Sequence, residues 1–269
     1  MAATRRWTKR ILLLLLSLVG LVLIAFFGSI AFDALFGRQS SEYTNRSFTA
    51  PDGATLHGYL AEPAGPGPHP TILLIHEWWG LNEGMLVLAD ALAEEGYLVF
   101  AADAYRSEVS NLFTRALWLR LTTPTEQVRA DLDAALDYLL SQEGADRDRV
   151  ATMGFCFGGG ESLQLGLRQS ERLAVTVIYY GAVVTDPDLL RPLTDGQPVL
   201  GVFAEEDQQI FVEDVIEFEA ALNSLDIPNQ ITIYENVGHG FLNEENFDEP
   251  GPAGDAWQET LLFLEETLR

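Results

Sequence analysis

The chain predicts an α/β fold: a mostly parallel central sheet with helices on both faces, preceded by one N-terminal transmembrane helix. Three observations lead there. Short apolar runs such as 71–75 (TILLI), 97–101 (YLVFA) and 198–204 (PVLGVFA) alternate with amphipathic stretches of helical period. The 269 residues, 48% of them hydrophobic, supply a core large enough for one sizeable domain. Residues 11–32 contain no charge at all.

That uncharged run comes first. Its 22 residues span about 33 Å as a helix, enough for a bilayer core. Arg5, Arg6, Lys9 and Arg10 precede it, which places residues 1–10 in the cytoplasm as a basic terminus and everything after Phe32 outside. A cleaved signal peptide also fits, with Ser29-Ile30-Ala31 offering small residues, and would leave the domain secreted. The length of the run favours an anchor. Residues 33–45 read as a linker with a polar middle, and 46–269 as the folded domain.

In the domain, 47–50 and 55–61 read as strands about the turn Pro51-Asp52-Gly53. The loop 63–70 is marked by its prolines and glycines, and 71–75 is a buried strand. Residues 83–95 place Met85, Leu88, Ala89 and Leu92 at helical spacing and end at Gly96. Strand 97–101 follows, then a helix over 107–121. Pro124 opens another helix, through about Ser141, with Val128, Leu132, Leu136, Leu139 and Leu140 on one face. Beyond it the pattern predicts strands at 150–153, 173–180, 198–204 and 230–234, and helices at 158–170, 211–225 and 254–268. In such a sheet reactive groups gather on loops at the carboxyl ends of the strands.

Charge narrows the partners. There are 40 acidic residues against 16 basic. Removing the four N-terminal cations leaves 12 basic and 40 acidic, a net charge of −28 on the rest. Such a body repels nucleic acid and anionic headgroups. Carboxylates at this density also keep a protein soluble at high salt.

The stretch TMGFCFGGG (152–160) holds Cys156, the one cysteine of the chain, so no intramolecular disulfide can form. Cys156 falls just after a predicted strand and just before a helix, with Gly154 and Gly158 two residues away on either side. A nucleophile on so sharp a turn needs small neighbours there. The helix N-terminus is expected to favour its thiolate. The competing readings are a buried cysteine acting as a small hydrophobe and a phosphate-binding glycine loop, whose motifs would require a glycine at 156 or a lysine that is missing.

A thiol nucleophile needs a base and an orienting acid. Of His57, His69, His76 and His239, only His239 follows Cys156, as hydrolases with this elbow require. The acid should lie on the turn after strand 198–204, which offers Glu205, Glu206 and Asp207. Asp207, furthest into the turn, is selected. The backbone N–H of Phe157 is one oxyanion donor, and the loop HEWWG (76–80) should supply another. HEWWG lacks the second histidine of a zinc motif, so no metal site is expected.

HEWWG, GFCFGGG, EED and GHGF, in this order, resemble the dienelactone hydrolase family of α/β-hydrolases from about residue 45 to the C-terminus. The resemblance implies a triad of Cys156, Asp207 and His239. It implies that Glu77 interacts with the resting thiol and helps substrate binding to trigger thiolate formation. It also implies that Trp78 donates the second oxyanion N–H. Two arginines that hold a substrate carboxylate in the family have no match here. Arg106 comes one residue early in Asp103-Ala104-Tyr105-Arg106, and Asn243 stands at the other position. Trp78, Trp79, Tyr105 and Phe241 are expected to line an aromatic entrance suited to neutral esters or lactones, with Arg106 nearby. The reading is a membrane-tethered hydrolase of small esters or lactones that needs no cofactor and binds no nucleic acid. The alternatives are a non-catalytic binding module on the same scaffold, a thiol redox sensor, or a peptidase of this fold.

Overall fold

A computed structural model describes residues 2–193 and 197–269. The side chains of Arg5 and Arg6, in the basic N-terminal cluster, lie outside the described residues. Helix α1 (Ala2–Phe36) leads into β1 (Arg46–Thr49), β2 (Thr55–Ala61) and β3 (His69–Ile75). Helix α2 (Glu83–Glu94), β4 (Leu98–Ala102), α3 (Phe113–Thr122) and α4 (Thr125–Leu140) follow. Then come β5 (Ala145–Phe155), α5 (Phe157–Arg168), β6 (Val175–Tyr179), the single turn α6 (Pro187–Leu190) and β7 (Val199–Ala204). Helix α7 (Val212–Ser224), β8 (Asn229–Tyr234) and α8 (Pro252–Leu268) close the chain.

The eight strands form one sheet in the order β1-β2-β4-β3-β5-β6-β7-β8. β1 and β2 join antiparallel, and from β4 to β8 every pair is parallel. The inner parallel strands β3 to β7 are buried on both faces toward their carboxyl ends because successive side chains alternate between two helical layers. Ile72 and Leu74 of β3 point into the core shared with α2 and α8. Leu73 and Ile75 point the other way, against Val128, Leu132, Leu136 and Leu139 of α4. The chain turns from one side of the sheet to the other between β3 and β5. The carboxyl ends of those strands therefore border the crevice where open α/β sheets bind ligands. HEWWG and Cys156 stand at those two ends.

Two segments differ from the sequence expectation. The helix predicted over 107–121 begins only at Phe113. Arg106 and Ser107 have positive φ, 52° and 78°, which no helix tolerates. Asp103 holds this turn by accepting from the N–H groups of Tyr105 (3.0 Å) and Ser107 (2.6 Å). Residues 33–45, read as a linker, are docked on the domain. α1 continues through Phe36, Ser40 donates to Asp103 (2.9 Å), and Ser40 and Tyr43 are buried. Within the polar middle Ser40 has a buried partner, while Arg38, Gln39, Ser41 and Glu42 around it stay exposed.

Candidate active site

Cys156 occupies a strained turn between β5 and α5, at φ 54° and ψ −113°. Its own N–H is used, donating to the Tyr179 carbonyl at 2.9 Å. Two glycines make the turn sterically feasible. A Cβ on Gly154 would overlap the Gly158 carbonyl, and a Cβ on Gly158 would overlap the Ile75 carbonyl. The loop after β3 is thereby brought against the first turn of α5.

That loop is pinned by a buried imidazole. Nε2 of His76 accepts from the Ala104 N–H (3.1 Å), so Nδ1 is the protonated nitrogen and donates to the Glu77 carbonyl (2.5 Å). Burial lowers the His76 pKa and keeps it neutral. Trp78 is held in turn by Trp79, whose carbonyl accepts from Ser110 (2.8 Å). The N–H groups of Phe157 and Trp78 lie near enough to the Cys156 sulfur to pull its pKa down.

On the other side, Asp207 is buried at the end of β7. Its Oδ1 accepts from the N–H groups of Gln209 (2.7 Å) and Ile210 (3.1 Å). Its Oδ2 lies 2.7 Å from Nδ1 of His239. Glu205 and Glu206, the other two candidates, are exposed. With Nδ1 facing Asp207, Nε2 of His239 is buried and has no hydrogen-bond partner among the described residues. Cys156, His239, Trp78 and Phe157 line one cavity of about 160 Å³.

The resting sulfur is not bonded to that imidazole. It sits by Glu77 and the two backbone donors. Burial first, and the negative charge of Glu77 second, push the thiol up to about 12, against the pull of the Phe157 and Trp78 N–H groups. The expectation that the helix N-terminus would favour a thiolate is corrected here: desolvation and a carboxylate neighbour outweigh the dipole. Glu77 itself is raised to about 7, by burial and then by the charge of Glu244.

The expected aromatic entrance is narrower than the sequence suggested. Of its members only Trp78 lines the cavity. Trp79 packs on Trp78 with ring centres 5.0 Å apart. Tyr105 is buried against His76 and Phe157, and Phe241 packs between Tyr180 and Tyr234. Arg106 does not join the site. Its guanidinium is engaged by both oxygens of Asp131 (2.6 and 2.7 Å) and by Asp52 (2.8 Å). The cavity wall includes residues that sequence reasoning did not select: Tyr180, Ala182, Gln209, Ile210 and Arg120. Arg120 comes from the last turn of α3 and lies over the Phe157 ring at 5.3 Å. It has no motif, and nothing in the sequence places α3 across this crevice.

A parallel sheet switching direction beside a strand-turn-helix elbow, with an Asp-His pair in the same cavity, defines an α/β-hydrolase. The chain belongs to the dienelactone hydrolase family, whose model matches residues 56–268, and it is a dienelactone hydrolase-like hydrolase. It is 28% identical to "Protein usf" of Aquifex pyrophilus over 231 residues, 81% of this chain and 96% of that one. It is 32% identical to a Salmonella typhi protein named "Putative carboxymethylenebutenolidase" over 230 residues, 79% of this chain and 83% of that one. Among solved structures, the "Putative Dienelactone Hydrolase" of Klebsiella pneumoniae superposes with a TM-score of 0.70 at 26% identity, covering 82% of this chain and 98% of that one.

Proposed function

We propose that the protein hydrolyses small carboxylic esters or lactones through a Cys156–Asp207–His239 triad, as a domain tethered outside the membrane by α1. The observation that carries this reading is the 2.7 Å Asp207–His239 pair in the cavity that also holds Cys156. The carbonyl oxygen of a bound ester takes the N–H groups of Phe157 and Trp78 beside the resting sulfur. The sulfur turns toward His239 and loses its proton to Nε2 as it attacks the acyl carbon. The carbonyl electrons move onto the oxygen, which the two N–H groups stabilise. Collapse breaks the C–O bond, and the leaving alkoxide takes the proton from His239. Water then gives a proton to Nε2 and attacks the thioester. The C–S bond breaks and the sulfur recovers its proton, releasing the acid. Asp207 stabilises the imidazolium in both half-reactions. Glu77 keeps the thiol protonated and inert until substrate arrives, and its negative charge then turns the displaced sulfur away toward His239.

The tether rests on α1. This helix is long and apolar enough to cross a bilayer. It is also bound to the domain: Asp33 accepts from Ser110 (2.7 Å) and pairs with Arg115 (3.6 Å), and Ser29 bonds Thr114 (2.8 Å). Phe27 also packs on Trp118 (6.1 Å), and cleavage after Ala31 would remove Phe27 and Ser29 from these contacts, which favours a retained anchor over a signal peptide. The test is a panel of esters, lactones and thioesters assayed with wild type and Cys156→Ala side by side. Turnover by wild type and loss by about 10⁴-fold in the variant is the expected result. Equal rates would refute the triad.

A further inference from the structure

Helix α3 carries a second feature that the triad does not use. It runs antiparallel to the outer turns of α1. Asp33 meets Ser110 and Arg115, Ser29 meets Thr114, and Phe27 packs on Trp118 at 6.1 Å. Phe27 and Ser29 belong to the uncharged run 11–32. α3 therefore lies beside the part of α1 that is apolar enough for hydrocarbon, not beyond it. Its outward residues match that position: Phe113, Trp118 and Leu121 are 60%, 42% and 73% exposed. Of its two charges Arg115 is buried, paired with Asp33 and Glu108, while Arg120 is exposed at the cavity rim and lies on Phe157.

The same helix forms the rim of the Cys156 cavity at both ends. Phe113 packs on Trp78 with ring centres 5.3 Å apart, and Arg120 lines the cavity directly. We propose that α3 rests in the outer leaflet of the bilayer beside α1, so that the cavity takes its substrate from the membrane: an amphiphilic ester whose tail stays in the leaflet while its carbonyl reaches Cys156. The cavity, at about 160 Å³, holds the reacting group and only a short part of a chain, which leaves an apolar tail to lie along α3. Continuity with α1 identifies lipid as what covers this face. The net charge of −28 beyond the N-terminal cluster specifies neutral or zwitterionic lipid.

This inference rests on the reading of α1 as a retained anchor, and the experiment separates the two. Full-length protein with Cys156→Ser carries a spin label at Leu121→Cys or, separately, at Ile24→Cys, in phosphatidylcholine vesicles. Collisions with oxygen and with an aqueous nickel chelate report depth. Both labels reached by oxygen and shielded from nickel is the expected result. Position 24 shielded but position 121 open to nickel overturns the inference and leaves the anchor intact. Position 121 shielded from both reagents means protein cover by a second copy, and overturns it too. Both positions open to nickel overturns the anchor and the inference together. A second measurement compares p-nitrophenyl palmitate in the vesicles with p-nitrophenyl acetate in water. Leu121→Glu should lower the ratio of the two turnover rates at least tenfold; an unchanged ratio contradicts the inference. Wild type inert toward both esters would instead refute the hydrolase chemistry on which the feeding route depends.

Discussion

Replacing Glu77 with glutamine should stabilise the protein and cripple it at once. Glu77 is raised from its ordinary 4.5 to about 7, mainly because it is desolvated beside the cavity and secondly because Glu244 lies near. Below pH 4.5 the carboxyl is protonated in folded and unfolded chains alike, and glutamine changes little. Between about 4.5 and 7 the folded chain keeps a proton that the unfolded chain has lost, so stability falls as pH rises. Above 7 the full cost of ionising a buried carboxylate applies, about 3 kcal/mol as a ceiling. Glutamine has the same shape and never ionises, so it escapes that cost. At roughly 2–4 °C per kcal/mol for a domain of this size, Glu77→Gln should melt about 5–10 °C higher than wild type at pH 8 and within about 2 °C of it at pH 4.5. Thermal denaturation of detergent-solubilised full-length protein at the two pH values measures this. Alkylation supplies a second readout. Without the neighbouring negative charge the Cys156 thiol titrates lower, so its reaction with iodoacetamide should begin at lower pH. Ester turnover should nevertheless fall by about 10²-fold, because the carboxylate that restrains and then releases the thiol is gone. A melting difference that is the same at both pH values would refute the reasoning.

Other outcomes follow from the geometry. Asp207→Asn should keep the fold and lower kcat by about 10³–10⁴-fold, since the amide no longer fixes the His239 tautomer or stabilises its cation; steady-state kinetics on an activated ester checks it. Gly154→Ala should destabilise the domain by about 3 kcal/mol or more, seen as loss of folded yield or a lowered Tm, because its Cβ has no room beside Gly158. Arg120→Gln should raise KM for a carboxylate-bearing ester roughly tenfold relative to its neutral methyl ester, because Arg120 places a cation in the cavity wall. Equal KM changes for the two substrates would contradict that placement.

The candidate site was legible in the sequence where local geometry is demanding. An elbow needs Gly154 and Gly158 around Cys156, and chain order singles out His239 and leaves Glu205, Glu206 and Asp207 as candidate acids. The choice of Asp207 over Glu205 and Glu206 rested on its depth in the turn, and burial agrees. What was hidden depends on distant packing. Arg106, one residue early relative to the family's arginine, was placed near the entrance, yet Asp131, 25 residues away on α4, captures it. Periodicity suggested a helix from 107, but Asp103 takes the N–H of Ser107 and holds a left-handed turn. Arg120 reaches the cavity only because α3 is clamped against α1, a tertiary fact without a local motif. The state of the thiol was misread for a related reason. The helix N-terminus is visible in sequence, whereas the desolvation that outweighs it is not.

Acyl transfer to Cys156 with His239 beside it leaves a trace that can be trapped. Full-length protein is mixed with an excess of p-nitrophenyl acetate, quenched in acid within the first turnovers, and its peptides mapped by mass. One acetyl group, carried by the peptide containing Cys156, should accumulate in the wild type and be absent from Cys156→Ala and from His239→Ala at equal times. Acetyl found on another residue, or turnover that persists in Cys156→Ala with no acyl-enzyme at all, would contradict acyl transfer to Cys156.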